Sequence, residues 1–306
     1  MELLIQEIVV GIFVLVMMFS VGLDLRIQQV LAVFKMPRLL LLGLLINYLV
    51  VPAIGVGVVK GLQLEPVYAV GLLLVVTTPG GPLGALLTQK VRGNLALATS
   101  LVVVMNVLNT VVTPFMAWLL NFAPQTADGE VPVLAMARTI IVFQLTPLAA
   151  ALYWRHRWES SALRWQPRTA VASNWLIGLT ATGFIVKEVV EGGAMAIVLP
   201  TPVVIAIFSC VLASLLVGYV MGFGDSSNRS ALCMVTSVRS MALALLLATA
   251  WFPDPQSILT VASYSAVMFW LSLGVGGLIR TVGSQATASR PPLPETPDHR
   301  STSVDG

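Results

Sequence analysis

Charge is what this chain has least of. Of its 306 residues 10% are charged and 57% are hydrophobic, whereas a soluble domain carries about a quarter charged residues. Such a composition excludes an ordinary water-soluble globule and is read as an all-α polytopic membrane protein. Cysteine and histidine are scarce too, two of each. Cys210 and Cys233 lie inside apolar runs, where they serve as small buried hydrophobes rather than as a disulfide or a metal pair. His156 falls in a loop and His299 in the C-terminal tail. All fourteen Asp and Glu residues fall in loops, tails or near span ends. With no carboxylate or histidine at mid-membrane, the usual proton relay, acid–base catalysis and metal chemistry have no residues to use. The chain is therefore not expected to be an enzyme or to carry a cofactor. The N-terminus MELLIQE lacks the basic region of a cleavable signal peptide. A net charge of +3 marks no nucleic-acid partner; the bilayer and a small solute are the partners expected, and oligomeric state is not legible.

What is there is a series of long apolar runs. At ~20 residues per bilayer crossing, nine spans are predicted at roughly 3–24, 39–60, 66–89, 94–122, 132–154, 168–190, 195–223, 229–251 and 258–280. Basic residues crowd the loops on one side: Arg26, Lys35, Arg38, Lys90, Arg92, Arg155, Arg157, Arg164, Arg168, Arg229, Arg280 and Arg290, against Lys60 and Lys187 on the other. Positive loops stay inside, so the N-terminus is expected outside and the C-terminus in the cytoplasm. Trp154, Trp158 and Trp165 around the basic stretch 155–168 read as interfacial anchors. Residues 281–306 are polar and proline-rich and read as a disordered cytoplasmic tail.

Two spans break the pattern. The third carries TTPGGP at 77–82; two prolines and two glycines within four residues cannot continue a regular helix. Broken backbone at membrane depth is tolerated only where it lines a cavity or is buried in protein. The eighth span holds Arg239 about ten residues from either end. A central arginine costs about 2.5–3.5 kcal/mol even on the lenient insertion scale, and this one sits too deep to snorkel. Two interrupted spans five apart cross the membrane in opposite senses, the pattern of an inverted-repeat transporter whose site lies where the breaks meet. Half-helix N-termini there favour an anion. The residues expected at the site are Arg239, Ser240, Thr78, Gly81, Pro82 and Asn47, with Arg138 either snorkelling outward or lining an outer vestibule. Asn106, Asn109, Gln144 and Asn174 read as ordinary interhelical hydrogen-bonders.

FSVGLDL at 19–25, TTPGGPLGALLTQKVRGNLALA at 77–98, TPF at 113–115 and the eighth span followed by WFPDP resemble the bile acid:sodium symporter family across residues 5–280. The resemblance implies an inverted repeat with a core domain (about 66–122 and 195–280) and a panel domain (about 3–60 and 132–190). It also implies two broken helices crossing at the substrate site, and transport of an organic anion across a bacterial inner (plasma) membrane. The sodium ligands implied by the family are replaced here: its positions fall on Gly84, Ala85, Ala98, Val102 and Val235, and a glutamine position falls on Arg239. Only the amide of Asn47 survives in kind. The reading is therefore a secondary transporter of a small organic anion, not coupled to sodium because the guanidinium stands in for the ion. Two alternatives stay open: a sodium-dependent organic anion symporter using backbone carbonyls and Asn47, and a non-transporting membrane sensor or scaffold. The substrate itself is not legible.

Overall fold

The computed structural model describes residues 2–25, 28, 36–120, 131–192, 199–222 and 225–288, and only the backbone of 2–7, 174, 177–192 and 282–288. The regular elements among them are helices, here numbered α1 (Glu2–Asp24), α2 (Pro37–Gly61), α3 (Pro66–Val76), α4 (Leu83–Lys90), α5 (Leu95–Leu119), α6 (Val133–Arg157), α7 (Glu159–Gly192), α8 (Thr201–Val220), α9 (Ser226–Ser237), α10 (Met241–Trp251) and α11 (Pro255–Ala288). Five of these, α2, α5, α6, α8 and the stretch Pro255–Thr281 of α11, are long and apolar enough to cross a membrane. The expected third and eighth spans are each a pair of short helices, α3 with α4 and α9 with α10. Their length falls short singly because each is interrupted, as the prolines and glycines of TTPGGP predicted for the first of them.

Span ends differ from expectation where no residue stops a helix. α7 begins at Glu159 rather than near 168 and carries Pro167 inside it. The basic stretch is thus helical except at Trp158, and Arg157 and Arg168 lie 5.8 and 5.2 Å over the rings of Trp158 and Trp165. That cation–π stacking suits interfacial anchors. α11 runs on to Ala288, eight residues past the predicted end, since no proline follows until Pro291. The rest of the expected tail, 289–306, lies outside the described residues, as does the side chain of Asn174.

Both α2 and α6 contain a π-turn, Ile46–Val50 and Ile141–Leu145. In each case a proline follows at once, Pro52 and Pro147. A proline ring clashes with the carbonyl one turn back; the wider turn moves that carbonyl aside.

Packing sorts the helices. α1 lies along α6 and α7, while α3 and α4 pack against α11 and α9, and α9 against α8. The second span, which the resemblance groups with the first, fifth and sixth, packs on α3, α5 and α8. Its small Gly43 and Gly55 admit Leu101, Leu232 and Val76 at contact distance, which places α2 beside the broken helices. Buried apolar side chains from α1 to α11 form the main core, with a second cluster where α2, α5 and α9 meet. Large apolar side chains such as Leu41, Val111, Trp118, Leu216 and Trp270 are exposed around the outside, as a lipid-facing surface requires.

Candidate functional site

The two breaks meet. α3 ends at Val76, and the hydroxyls of Thr77 and Thr78 donate back to the carbonyls of Leu73 and Leu74 at 2.8 and 2.9 Å. The carbonyl that Pro79, lacking an N–H, leaves without its helical donor is that of Val75, and it accepts from the N–H and the hydroxyl of Thr78 at 3.2 and 3.1 Å. Gly80 then takes φ +92°, a conformation open to glycine at little cost, and Pro82 caps α4. On the other side α9 ends at Ser237, Val238 is extended and α10 starts at Met241. A single antiparallel bridge pairs Pro79 with Arg239, and the N–H of Ser240 donates to the carbonyl of Thr78 at 2.8 Å. The N-termini of α4 and α10 therefore converge on one crossing. Gly81 is required there: a Cβ on it would overlap the carbonyl oxygen of Arg239.

Arg239 is buried to 1% exposure. Its backbone N–H faces the sulfur of Met268 at 3.0 Å. Its Nη1 donates to Asn47 Oδ1 at 3.1 Å. Asn47 sits in the π-turn of α2, and its own amide donates to Gly43 O at 2.8 Å and Thr236 Oγ1 at 3.3 Å. The Nε and Nη2 groups of Arg239 and the hydroxyl of Ser240 are buried without a hydrogen-bond partner among the described residues. A guanidinium beside the positive end of α10 concentrates positive potential at the crossing, and a neutral amide oxygen is its side-chain acceptor. Such a place attracts an anion.

Of the predicted site residues, Arg239, Ser240, Thr78, Gly81, Pro82 and Asn47 come together at the crossing. Thr78 takes part through its carbonyl, its hydroxyl being turned back into α3. Arg138 does not join them by any contact described: it is exposed on α6. The positions that the resemblance assigned to sodium also converge, but without side-chain oxygen. Ala98, Val102 and Val235 are buried together with Leu97, Leu101, Met105 and Leu232, and Ala85 packs against them. A Cβ on Gly84 would lie 3.1 Å from Val235 Cα. Side chains of this kind offer a cation no ligand, since sodium, like other hard cations, is held by oxygen.

Sequence reasoning missed the clamp that holds the first break open. Three side chains of α5, spaced i, i+3 and i+7 on one face, reach three carbonyls of the break. Asn106 donates to Gly80 O at 3.0 Å, Asn109 to Pro79 O at 2.8 Å and Thr113 to Thr77 O at 3.1 Å. Gln144, in the π-turn of α6, donates to Asn106 Oδ1 at 2.6 Å, and Tyr48 to Asn109 Oδ1 at 2.7 Å. The signal was present in the spacing of polar residues along an otherwise apolar helix, but only with the break as their target does it acquire a meaning.

Compared with known families, residues 11–190 match the model described as "Sodium Bile acid symporter family". The chain is 28% identical over 285 residues to the "Uncharacterized sodium-dependent transporter YocS" of Bacillus subtilis, an alignment covering 90% of this chain and 83% of that one. It is 26% identical to the "Probable sodium/metabolite cotransporter BASS1, chloroplastic" of Arabidopsis thaliana, covering 86% of this chain and 64% of that one. To the "Sodium-dependent organic anion transporter" of Mus musculus it is 24% identical, over 70% of this chain and 54% of the relative. The chain thus spans less than two thirds of the length of the last two.

Proposed function

We propose a function from one premise: the chain belongs to the sodium bile acid symporter family, a family of membrane transporters. On that premise it is a secondary transporter of a small organic anion, the substrate class named for the mouse relative. The observation that carries the reading is Arg239, a permanent charge buried where two broken helices cross, with its Nε and Nη2 groups free of hydrogen-bond partners among the described residues. The substrate anion docks against the guanidinium, Ser240 and the backbone around Thr78, Gly81 and Pro82, with Asn47 orienting the arginine. Nine spans in an inverted repeat, N-terminus outside and C-terminus in the cytoplasm of a bacterial inner membrane, give the frame. A core about the two broken helices moves against a panel containing α1, α6 and α7, exposing the crossing to each side in turn.

Transport is uncoupled from sodium in this reading. The apolar contacts among Ala98, Val102 and Val235 support it, as does the position of a guanidinium that cannot leave with the substrate. Facilitated diffusion or anion exchange follows. A second reading, sodium-coupled symport, is favoured by the printed names of the relatives, each of which calls its protein sodium-dependent or a sodium cotransporter. Uptake of labelled organic anions into proteoliposomes, with sodium or choline outside, separates the two. Equal rates support the uncoupled carrier; a steep sodium dependence makes the chain a symporter; no saturable uptake of any anion offered removes the transport reading.

A further inference from the structure

Away from the crossing, a pocket of about 140 Å³ opens between the C-terminal end of α4 and the second half of α11, lined by Leu87, Lys90, Val91, Leu273, Gly276, Gly277 and Arg280. Its apolar wall is Leu87, Val91 and Leu273. Two neighbouring glycines shape it in different ways. Gly276 is buried and lets α11 approach, since a Cβ there would meet Val91 Cγ1 at 3.2 Å. Gly277 faces open space, with nothing within 4 Å of a Cβ, so its missing side chain leaves the hollow open. Leu273, Gly276 or Gly277, and Arg280 follow one another at helical spacing, so Arg280 stands above the hollow on the same face of α11. Lys90 closes the last turn of α4 opposite it. Both cations are exposed, and among the described residues no carboxylate lines the pocket. Both also belong to the set of basic residues expected on the cytoplasmic side, where anionic lipids concentrate.

We propose that this pocket is a binding site for an anionic phospholipid, its phosphate between Lys90 and Arg280 and the start of an acyl chain over Gly277 against Leu87, Val91 and Leu273. Two cations over an apolar floor match an amphipathic anion; a soluble anion has no use for the floor, and a neutral lipid none for the pair of charges. The inference rests on membrane placement and not on what is transported, so it stands or falls separately from the uptake experiments. The test is thermal unfolding of the detergent-solubilised full chain with added phosphatidylglycerol or phosphatidylcholine. Phosphatidylglycerol is expected to raise the midpoint by about 3 °C or more above phosphatidylcholine, the shift that ligand binding at many times Kd produces in a chain of this size. Lys90→Gln with Arg280→Gln is expected to remove most of that difference. Gly277→Leu, which fills the hollow and keeps both charges, is expected to remove it as well. An equal response in wild type and both variants, no preference for phosphatidylglycerol in wild type, or the same shift from inorganic phosphate or glycerol 3-phosphate overturns the proposal. Where a variant does not express, native mass spectrometry of the wild type with both lipids in competition decides, and equal retention of the two overturns it.

Discussion

Replacing Arg239 by methionine separates a structural charge from a binding one. Methionine fills a volume close to that of the arginine stem, so little cavity is left behind. Two terms then oppose each other in the folded protein. The charge-assisted hydrogen bond from Nη1 to Asn47 at 3.1 Å is lost, and bonds of that kind contribute about 1.5–3 kcal/mol. The burial of a charge at mid-membrane is relieved, which restores about 2.5–3.5 kcal/mol. The terms nearly cancel, so Arg239→Met is expected to fold with a melting temperature within a few degrees of wild type. Transport behaves differently. A buried charge pair between guanidinium and substrate, once truncated, costs about 2–5 kcal/mol, or a fall of about 30- to 4,000-fold in uptake efficiency at about 1.4 kcal/mol per decade. Arg239→Lys keeps a point charge without the planar fork and is expected to retain partial activity. The assays are fluorescence-detected thermal unfolding in detergent and initial-rate uptake into proteoliposomes at matched protein content. Wild-type uptake by Arg239→Met refutes the site. Collapse of Arg239→Met on unfolding, together with fully normal uptake by Arg239→Lys, makes the arginine structural and refutes the reasoning equally.

Other perturbations follow from the same geometry. Gly81→Ala forces a methyl against the Arg239 carbonyl; overpacking of this kind costs about 1–3 kcal/mol, and both the melting temperature and uptake are expected to fall, an unchanged protein in both respects arguing against a tight crossing. Asn109→Leu leaves the Pro79 carbonyl buried and unsatisfied at a cost of about 1–3 kcal/mol, measurable as a lowered midpoint, while Thr110→Val, whose hydroxyl has no partner among the described residues, is expected to change it little. Asn47→Leu removes the acceptor of Arg239 and is expected to weaken uptake without introducing sodium dependence; sodium-stimulated uptake in that variant contradicts the assignment of Asn47. A cysteine placed at Ser301 is expected to react with an impermeant thiol reagent only after permeabilisation, and labelling from outside intact cells reverses the topology.

Features that depend on a residue's own chemistry were legible in the chain before any contact was known. The first break was legible in TTPGGP because prolines remove donors and glycines release the backbone, whatever packs nearby. Span ends were less legible: α7 and α11 run past their predicted limits because polar residues end a membrane span without ending a helix. Asn106, Asn109 and Gln144 looked like generic interhelical bonds, since a side chain's spacing says which face it occupies but not what faces it.

The sequence by itself determined the membrane class, the place of the first break and the presence of one permanent charge at depth. Each of these follows from transfer energies and backbone constraints that act residue by residue. Tertiary structure alone decided that Asn47, 192 positions away, accepts from Arg239, and that α2 stands beside the broken helices. It alone gathered Ala98, Val102 and Val235 into one apolar cluster, and it set Lys90 and Arg280 over the same hollow. These are pairings between distant segments. Close packing selects them through shape and small residues such as Gly43 and Gly81, and no local pattern along the chain encodes which distant surface will arrive.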